Sequence, residues 1–135
     1  MMEVRRATEA GVDAAERAVR LLEEGVLPHF EREETFLLQP LGEKVGRTGS
    51  LVDVIAYEHA EIRREAGKIK EALAALKAAR RGPHMAEVEE LNRHGIFTVQ
   101  FLWDHFRKEK ASLFPTAREV LTPADLGALE ASYLP

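Results

Sequence analysis

The chain has 135 residues, with 19 lysines and arginines against 23 aspartates and glutamates, and a net charge of −4. This length is typical of one domain, here 1–135, whose core is large enough to fold without a disulfide or a metal. The chain contains no cysteine, which excludes disulfides, thiolate nucleophiles and iron–sulfur clusters. A bound metal would therefore need histidine nitrogen and carboxylate oxygen.

The distribution of charged and apolar residues excludes further classes. Charges of both signs are mixed and no basic face stands out, so we expect no nucleic-acid partner. No window reaches about 18 consecutive apolar residues, so we expect no membrane span. The N-terminus lacks an apolar core of signal-peptide length, and we therefore expect a cytoplasmic protein.

The first helical pattern covers roughly residues 9–38, where apolar residues recur at spacings of three and four. His29 and Glu33 lie on this face. Gly25 and Pro28 interrupt the pattern, and a proline inside a helix predicts a kink or a break. A break would allow the preceding residues to fold back as a short first helix.

Two further long helices and one short helix follow. Ser50 in "TGSLVD" is a suitable N-cap for the second helix, which carries His59 on its apolar stripe and ends near Gly82 and Pro83. The third helix runs from about His84 to Leu113. Thr122 and Pro123 predict the start of a short C-terminal helix. Matched lengths and short loops predict an all-α fold, an antiparallel up-down helical bundle.

Histidine and glutamate recur four residues apart at two places in the chain. Residues at i and i+4 project from the same helix face, so each pair can offer two ligands to a metal. Burying such groups without a partner would cost several kcal/mol each, whereas one cation neutralises them together. Imidazole and carboxylate suit iron, manganese or zinc. A core without metal is the alternative, and the candidate ligands are His29, Glu33, His59, His105 and Glu109.

Three segments of the chain together resemble the hemerythrin-like, or HHE cation-binding, domain family: "VLPHFEREETFLLQPL", "YEHAEIRREAGKI" and "DHFRKEKASLFPTA". The resemblance implies a four-helix bundle that holds a non-haem, usually di-iron, centre. It also implies that Glu33 and Glu109 bridge two irons. His59 and His105 would then bind one iron, and His29 the other.

The chain departs from the family pattern at its N-terminus. Only 28 residues precede His29 and none is histidine, although the family has a first helix with its own histidine there. We therefore expect a hemerythrin-like bundle with a truncated or missing first helix. A homodimer is one way to complete the bundle. Five ligands instead of the family's seven argue against reversible oxygen carriage.

Other conspicuous residues receive less specific interpretations. His94 lies about three turns before His105, roughly 16 Å away along the helix, which predicts a core or interface histidine outside the centre. His84 is expected to be exposed. Three acidic residues beside the candidate ligands are either solvated charges or hydrogen-bond acceptors for ligand imidazoles; they are Glu34, Glu58 and Asp104. Four aromatic residues around His105 are interpreted as packing residues in preference to an electron path: Phe97, Phe101, Trp103 and Phe106.

The sequence supports three functions. The first is a non-haem iron protein that binds or senses a small diatomic such as O₂ or NO, or handles iron. The second is a di-iron enzyme that oxidises ferrous iron or breaks down peroxide, so enzymatic activity stays open. The third is a metal-free helical module that acts through protein contacts.

Overall fold

The computed structural model describes residues 2–46, 50–78 and 85–132. These residues form three long helical rods and one short helix, and no strand occurs among them. The predicted all-α antiparallel bundle is confirmed. Within the described ranges, every helix is too short or too polar to cross a lipid bilayer.

The first rod (residues 2–45) is one continuous run of helical turns. Its parts are α1 (Met2–Leu21), a π-helical segment (Leu22–Val26), α2 (Leu27–Glu33), a second π-helical segment (Glu34–Leu38) and α3 (Gln39–Val45). The backbone stays in the right-handed helical region at Leu21, Val26 and Leu27, so the break expected near Gly25 and Pro28 is wrong. The N-terminal residues extend the rod instead of folding back as a separate helix.

The π-helical segments explain how the rods tolerate proline. Each one ends two residues before a proline, and these prolines are Pro28, Pro40 and Pro115. A proline lacks the amide hydrogen of the regular ladder and clashes with the carbonyl four residues earlier. The wider π turn relieves that clash without ending the helix.

The second rod, α4 (Leu51–Ala78), begins directly after Ser50, as predicted. It runs antiparallel to the first rod along its whole length. At one end Val12 packs against Leu73 and Leu76, and at the other end Leu41 lies in one cluster with Val52. Gly46 ends α3 with a φ of +83°, a conformation that favours glycine.

The third rod (residues 85–120) comprises α5 (Met85–Lys108), a π-helical segment (Glu109–Leu113) and α6 (Phe114–Val120). It packs along α4, and the predicted turn residues Gly82, Pro83 and His84 lie outside the described residues. The short helix α7 (Pro123–Ala131) begins as predicted, because Thr122 and Asp125 form a reciprocal capping box. Leu126 and Leu129 of α7 pack against the cluster at the Leu41 end.

The apolar core is divided along the bundle by a polar layer. One apolar cluster surrounds Leu41 and Val52, and another contains Leu22, Ala66 and Ile69. Between them lie buried histidine and glutamate side chains from all three rods. The fold therefore places charged groups at mid-height of the bundle, enclosed above and below by apolar side chains.

The aromatic residues around His105 pack only in part: Phe97 contacts Phe101 and Phe106 contacts His105, but three of the four side chains are exposed. Trp103 is 69% exposed, and Phe97 and Phe106 are each more than two-fifths exposed. The third rod has apolar residues on several faces, but α4 and the first rod cover only part of its circumference. The remaining apolar side chains lie at the surface.

Candidate metal centre

Two glutamates reach the centre from the junctions between α-helix and π-helix. Glu33 is the last residue of α2, before the π-helical segment Glu34–Leu38. Glu109 is the first residue of the π-helical segment that follows α5. The two following prolines, Pro40 and Pro115, account for these segments. The proline after each His-x-x-x-Glu pair is therefore associated with a π-helical segment, and the glutamate of the pair lies where that segment begins.

Four side chains converge at the centre. Glu33, His59, His105 and Glu109 each offer one ligand atom, and these atoms lie within 4.8 Å of one another. All four residues are almost completely buried. Nε2 of His105 lies 2.6 Å from Oε1 of Glu109, and Nε2 of His59 lies 3.2 Å from Oε1 of Glu33.

His29, the fifth candidate ligand, lies beside this group instead of within it. Its Nε2 is 3.1 Å from Oε2 of Glu33, and its side chain is 30% exposed. The two oxygens of Glu33 thus face different imidazoles, Oε2 facing His29 and Oε1 facing His59. The arrangement places one carboxylate between two imidazole nitrogens.

The inward-facing atoms lack hydrogen bonds despite their short separations. In the described part of the chain, Nε2 of both His59 and His105 and Oε1 of both Glu33 and Glu109 are buried without a hydrogen-bond partner. Each such atom costs about 1–3 kcal/mol. A cation at their midpoint would accept lone pairs from all four, so the residues present fit a bound metal.

His59 is oriented by a carboxylate on its other side. Its Nδ1 lies 2.8 Å from Oε2 of Glu34. Both oxygens of Glu34 also accept hydrogen bonds from the guanidinium of Arg63, at 2.8 Å each. The tautomer with its hydrogen on Nδ1 satisfies Glu34 and would leave the Nε2 lone pair directed at the centre for a metal, as in carboxylate–histidine–metal sites.

His105 has the same support from a different residue. Its Nδ1 lies 2.9 Å from Oε1 of Glu58, and the ammonium of Lys108 pairs with the other oxygen of that carboxylate. Glu34 and Glu58 are thus both acceptors for inward-facing imidazoles. Asp104 is exposed near Arg107 and takes no part in the centre.

The charges of the centre are strongly coupled. Burial alone would lower the pKa of His59, but the carboxylates of Glu109, Glu33 and Glu34 outweigh it and raise that pKa to about 9. Burial likewise disfavours the charged form of Glu109, but the imidazoles of His105 and His59 hold its pKa well below the usual range. The carboxylates therefore favour positive charge at this position, and a metal would compete with protons for it.

One participant is not among the candidates from the sequence. Phe30 is fully buried and stacks on the imidazole of His59, with ring centroids 3.9 Å apart and planes 7° from parallel. It also meets the ring of His105 edge-on at 5.2 Å. Phe30 therefore restricts the orientation of the His59 and His105 rings and excludes water from the side of these rings that it covers. Phe30 lies three residues before Glu33 and eight residues after Leu22, and both spacings place residues on one face of a helix. This periodicity could have identified Phe30 as an inward-facing residue.

His94 lies at the interface between α4 and α5 and apart from the centre, as predicted. Its Nδ1 is 2.7 Å from Glu65 and its Nε2 is 2.8 Å from Glu90. Both carboxylates raise its pKa, Glu65 most strongly. Its two ring nitrogens face these two glutamates, so His94 forms an ion-pair network with Glu65 and Glu90.

A recess approaches the centre on the side of His29. It has a volume of about 400 Å³ and opens to solvent. Phe106 separates it from the buried imidazoles, with ring centroids 6.5 Å from His29 and 5.5 Å from His105. Its lining is partly apolar, and the residues are Leu21, Gly25, Val26, His29, Arg32 and Phe106.

Comparison with known proteins gives one match. The family model described as the hemerythrin HHE cation binding domain matches residues 1–117. No curated protein and no solved structure matches the chain.

Proposed function

Because the chain belongs to the hemerythrin HHE cation-binding domain family, we propose that it binds non-haem iron as a pair of ions. In this proposal the iron centre binds or senses a small diatomic such as O₂ or NO, or serves in handling iron. The ligands would be His29, Glu33, His59, His105 and Glu109. The convergence of four buried, unsatisfied ligand atoms carries the proposal.

The donor set supports iron and admits manganese or zinc. Imidazole and carboxylate are ligands that these three metals share, and the chain has no thiolate to favour a softer ion. A pair of ions is supported by Glu33, whose two oxygens face the imidazoles of His29 and His59. Iron bound there would supply Lewis acidity and one-electron redox chemistry.

The protein's own groups have separate roles in this proposal. Glu34 and Glu58 hold the Nδ1 hydrogens of His59 and His105 and so direct Nε2 inward. Phe30 excludes water from one side of these rings. The recess beside His29 leaves the opposite side accessible, and its size and partly apolar lining suit a small molecule.

Metal analysis tests the first part of the proposal. The purified protein, reconstituted separately with ferrous iron, manganese and zinc, should retain two iron ions per chain after desalting. One retained ion would contradict the paired centre. Full thermal stability with no retained metal would refute metal binding and leave the metal-free helical module.

Spectroscopy under controlled gas tests the second part. The iron-loaded protein should show an absorption spectrum that changes reversibly with O₂ or NO. Sustained turnover of ferrous iron or peroxide, without a reversible complex, would overturn the binding role and favour the enzyme.

A further inference from the structure

An exposed apolar stripe follows the outer face of the third rod. Ile96, Val99, Trp103 and Phe106 recur at spacings of three and four residues, and each is between 41% and 69% exposed. The same spacing continues to polar residues at both ends, which are Glu89, Asn92 and Lys110. A 3-4 repeat of this kind is the seam of paired helices, in which each seam residue packs against the opposite helix.

We propose that this stripe is the interface of a two-fold symmetric dimer, in which it packs antiparallel against the stripe of a second copy of the chain. None of the four apolar residues is a candidate ligand, but Phe106 contacts the rings of His29 and His105. Self-association and metal content are therefore measured separately.

The area of the patch supports this assignment. Leu21 of the first rod lines the same recess as Phe106 and extends the patch across the groove. At about 150–250 Å² for a large side chain, the exposed fractions of these five residues amount to roughly 450–750 Å². That range reaches the upper limit for the largest patch of a monomer. Two copies would bury about 900–1,500 Å² from these residues alone, a range that includes the lower limit of specific interfaces.

The order of residues along the stripe favours the antiparallel direction. With a two-fold axis between Val99 and Trp103, Ile96 meets the partner's Phe106, and Val99 meets the partner's Trp103. Each large aromatic then faces a smaller aliphatic side chain, which fills space evenly. A shift of one heptad would leave two of the four without an apolar partner. A parallel arrangement would instead place Trp103 against the partner's Trp103.

The charges at the ends of the stripe agree with this register. Antiparallel pairing brings Asn92 next to the partner's Lys110 and Glu89 within about one turn of it. Parallel pairing would place each charge beside an identical one. Since a two-fold interface uses the same patch on both copies, an acidic end and a basic end on one stripe are self-complementary.

Molar mass and tryptophan fluorescence test the proposal on the full chain. Light scattering after size-exclusion chromatography should give twice the 15.1 kDa of one chain. Trp103 is the single tryptophan, so its emission should shift to longer wavelength as dilution separates the copies. Trp103→Glu should weaken self-association by at least about 30-fold, the loss expected at a hot spot.

Tyr57→Glu is the matched control. Tyr57 is 62% exposed on α4, outside the stripe, so this substitution adds the same charge without removing a seam residue. The dimer should persist in Tyr57→Glu. A wild-type chain that is monomeric with solvent-exposed Trp103 at every concentration would overturn the proposal and leave the face to a different partner. A dimer unaffected by Trp103→Glu, or weakened equally by both substitutions, would also overturn it.

Cross-linking tests the direction, since the chain has no cysteine of its own. Ile96→Cys and Phe106→Cys proteins, mixed and oxidised, should form a disulfide-linked pair. A pair formed by Ile96→Cys alone would overturn the antiparallel register. Metal content is measured on the same samples, so loss of the dimer and failure of metal binding are recorded separately.

Discussion

His105 directs its two ring nitrogens at two glutamates on opposite sides. Its Nε2 lies 2.6 Å from Oε1 of Glu109, and its Nδ1 lies 2.9 Å from Oε1 of Glu58. Only the contact with Glu58 has the geometry of a hydrogen bond, because Nε2 of His105 and Oε1 of Glu109 are both unsatisfied. The tautomer with its hydrogen on Nδ1 satisfies Glu58 and would leave the Nε2 lone pair available for a metal.

His105 contributes a ligand atom to the candidate centre and His94 does not. We therefore predict that His105→Ala lowers metal content far more than His94→Ala. His94 faces Glu65 and Glu90 and contributes no atom to the centre. We expect His105→Ala to lose at least about tenfold in metal affinity, since it removes a direct ligand, and His94→Ala to retain metal. Bound iron after desalting is the measurement, and helical circular dichroism of both variants controls for folding. Equal losses would contradict the placement of His94.

The sequence predicted the fold well because the relevant signals are local. Thr122 and Pro123 marked the start of α7, and Ser50 marked the start of α4. The apolar periodicity also placed His59 and His105 on inward faces, and the structure buries both completely. Their role as ligands stays a prediction.

The face of the first rod was harder to predict. The predicted stripe placed His29 and Glu33 on the inner face. The structure buries Glu33, as predicted, together with Phe30 and Leu37, which the stripe did not include. A π turn contains more residues than an α turn, so each π-helical segment rotates the following residues around the axis. A constant period of 3.6 residues cannot reproduce this shift. It explains why Phe30 was missed and why His29 is partly exposed.

The surface of the third rod could not be predicted from its own pattern. Trp103 and Phe106 have the composition of core residues. Their exposure depends on how many neighbouring rods surround α5, which is a property of the whole bundle. Similarly, the sequence left Glu34 and Glu58 open between solvated charges and acceptors. Only the positions of His59 and His105 on the opposite helices decide that question.

The outer carboxylates predict a second effect on metal binding. Glu34→Gln and Glu58→Gln keep the side-chain shape but weaken the hold on Nδ1 of His59 and His105. Losses of outer-shell partners typically cost about 10- to 100-fold in metal affinity. We expect each variant to lose affinity in that range, measured by competition with a chelator. Asp104→Asn is the control, because Asp104 is exposed, and a similar loss there would refute a specific role for the outer carboxylates.

The network around His94 predicts a pH dependence of stability. Glu65 and Glu90 raise the pKa of His94 above its ordinary value of 6.5. Lys68 lies 3.5 Å from Glu65 and Arg93 pairs with Glu90, so both acids are also held by cations. A raised pKa means that the folded state binds the proton more tightly, so the stabilisation is complete below pH 6.5. It is lost as the pH rises through the folded-state pKa.

The measurement is the free energy of unfolding of the wild type and His94→Gln as a function of pH. The advantage of the wild type should be largest in mildly acidic solution and should shrink in alkaline solution. Metal-free protein is used for both, so that metal binding does not contribute to the difference. An advantage that is constant with pH, or that increases toward alkaline pH, would contradict a charged His94 between these two glutamates.

Two glycines predict stability changes of opposite sign. Gly46 ends α3 with φ +83° and ψ 156°, a region that residues with a side chain rarely adopt, although a Cβ there would meet no atom within 4 Å. Gly46→Ala should therefore destabilise the protein by about 1–3 kcal/mol through backbone strain alone. The second glycine is Gly11, which is exposed within α1. A Cβ at this position would also meet open space. Gly11→Ala should stabilise by about 0.5–1 kcal/mol, since alanine favours helix. Chemical denaturation of the two variants and the wild type measures both changes. If Gly46→Ala were as stable as the wild type, the chain leaving α3 would follow a different path. If Gly11→Ala were destabilised, that position would be packed against another surface instead of lying in solvent.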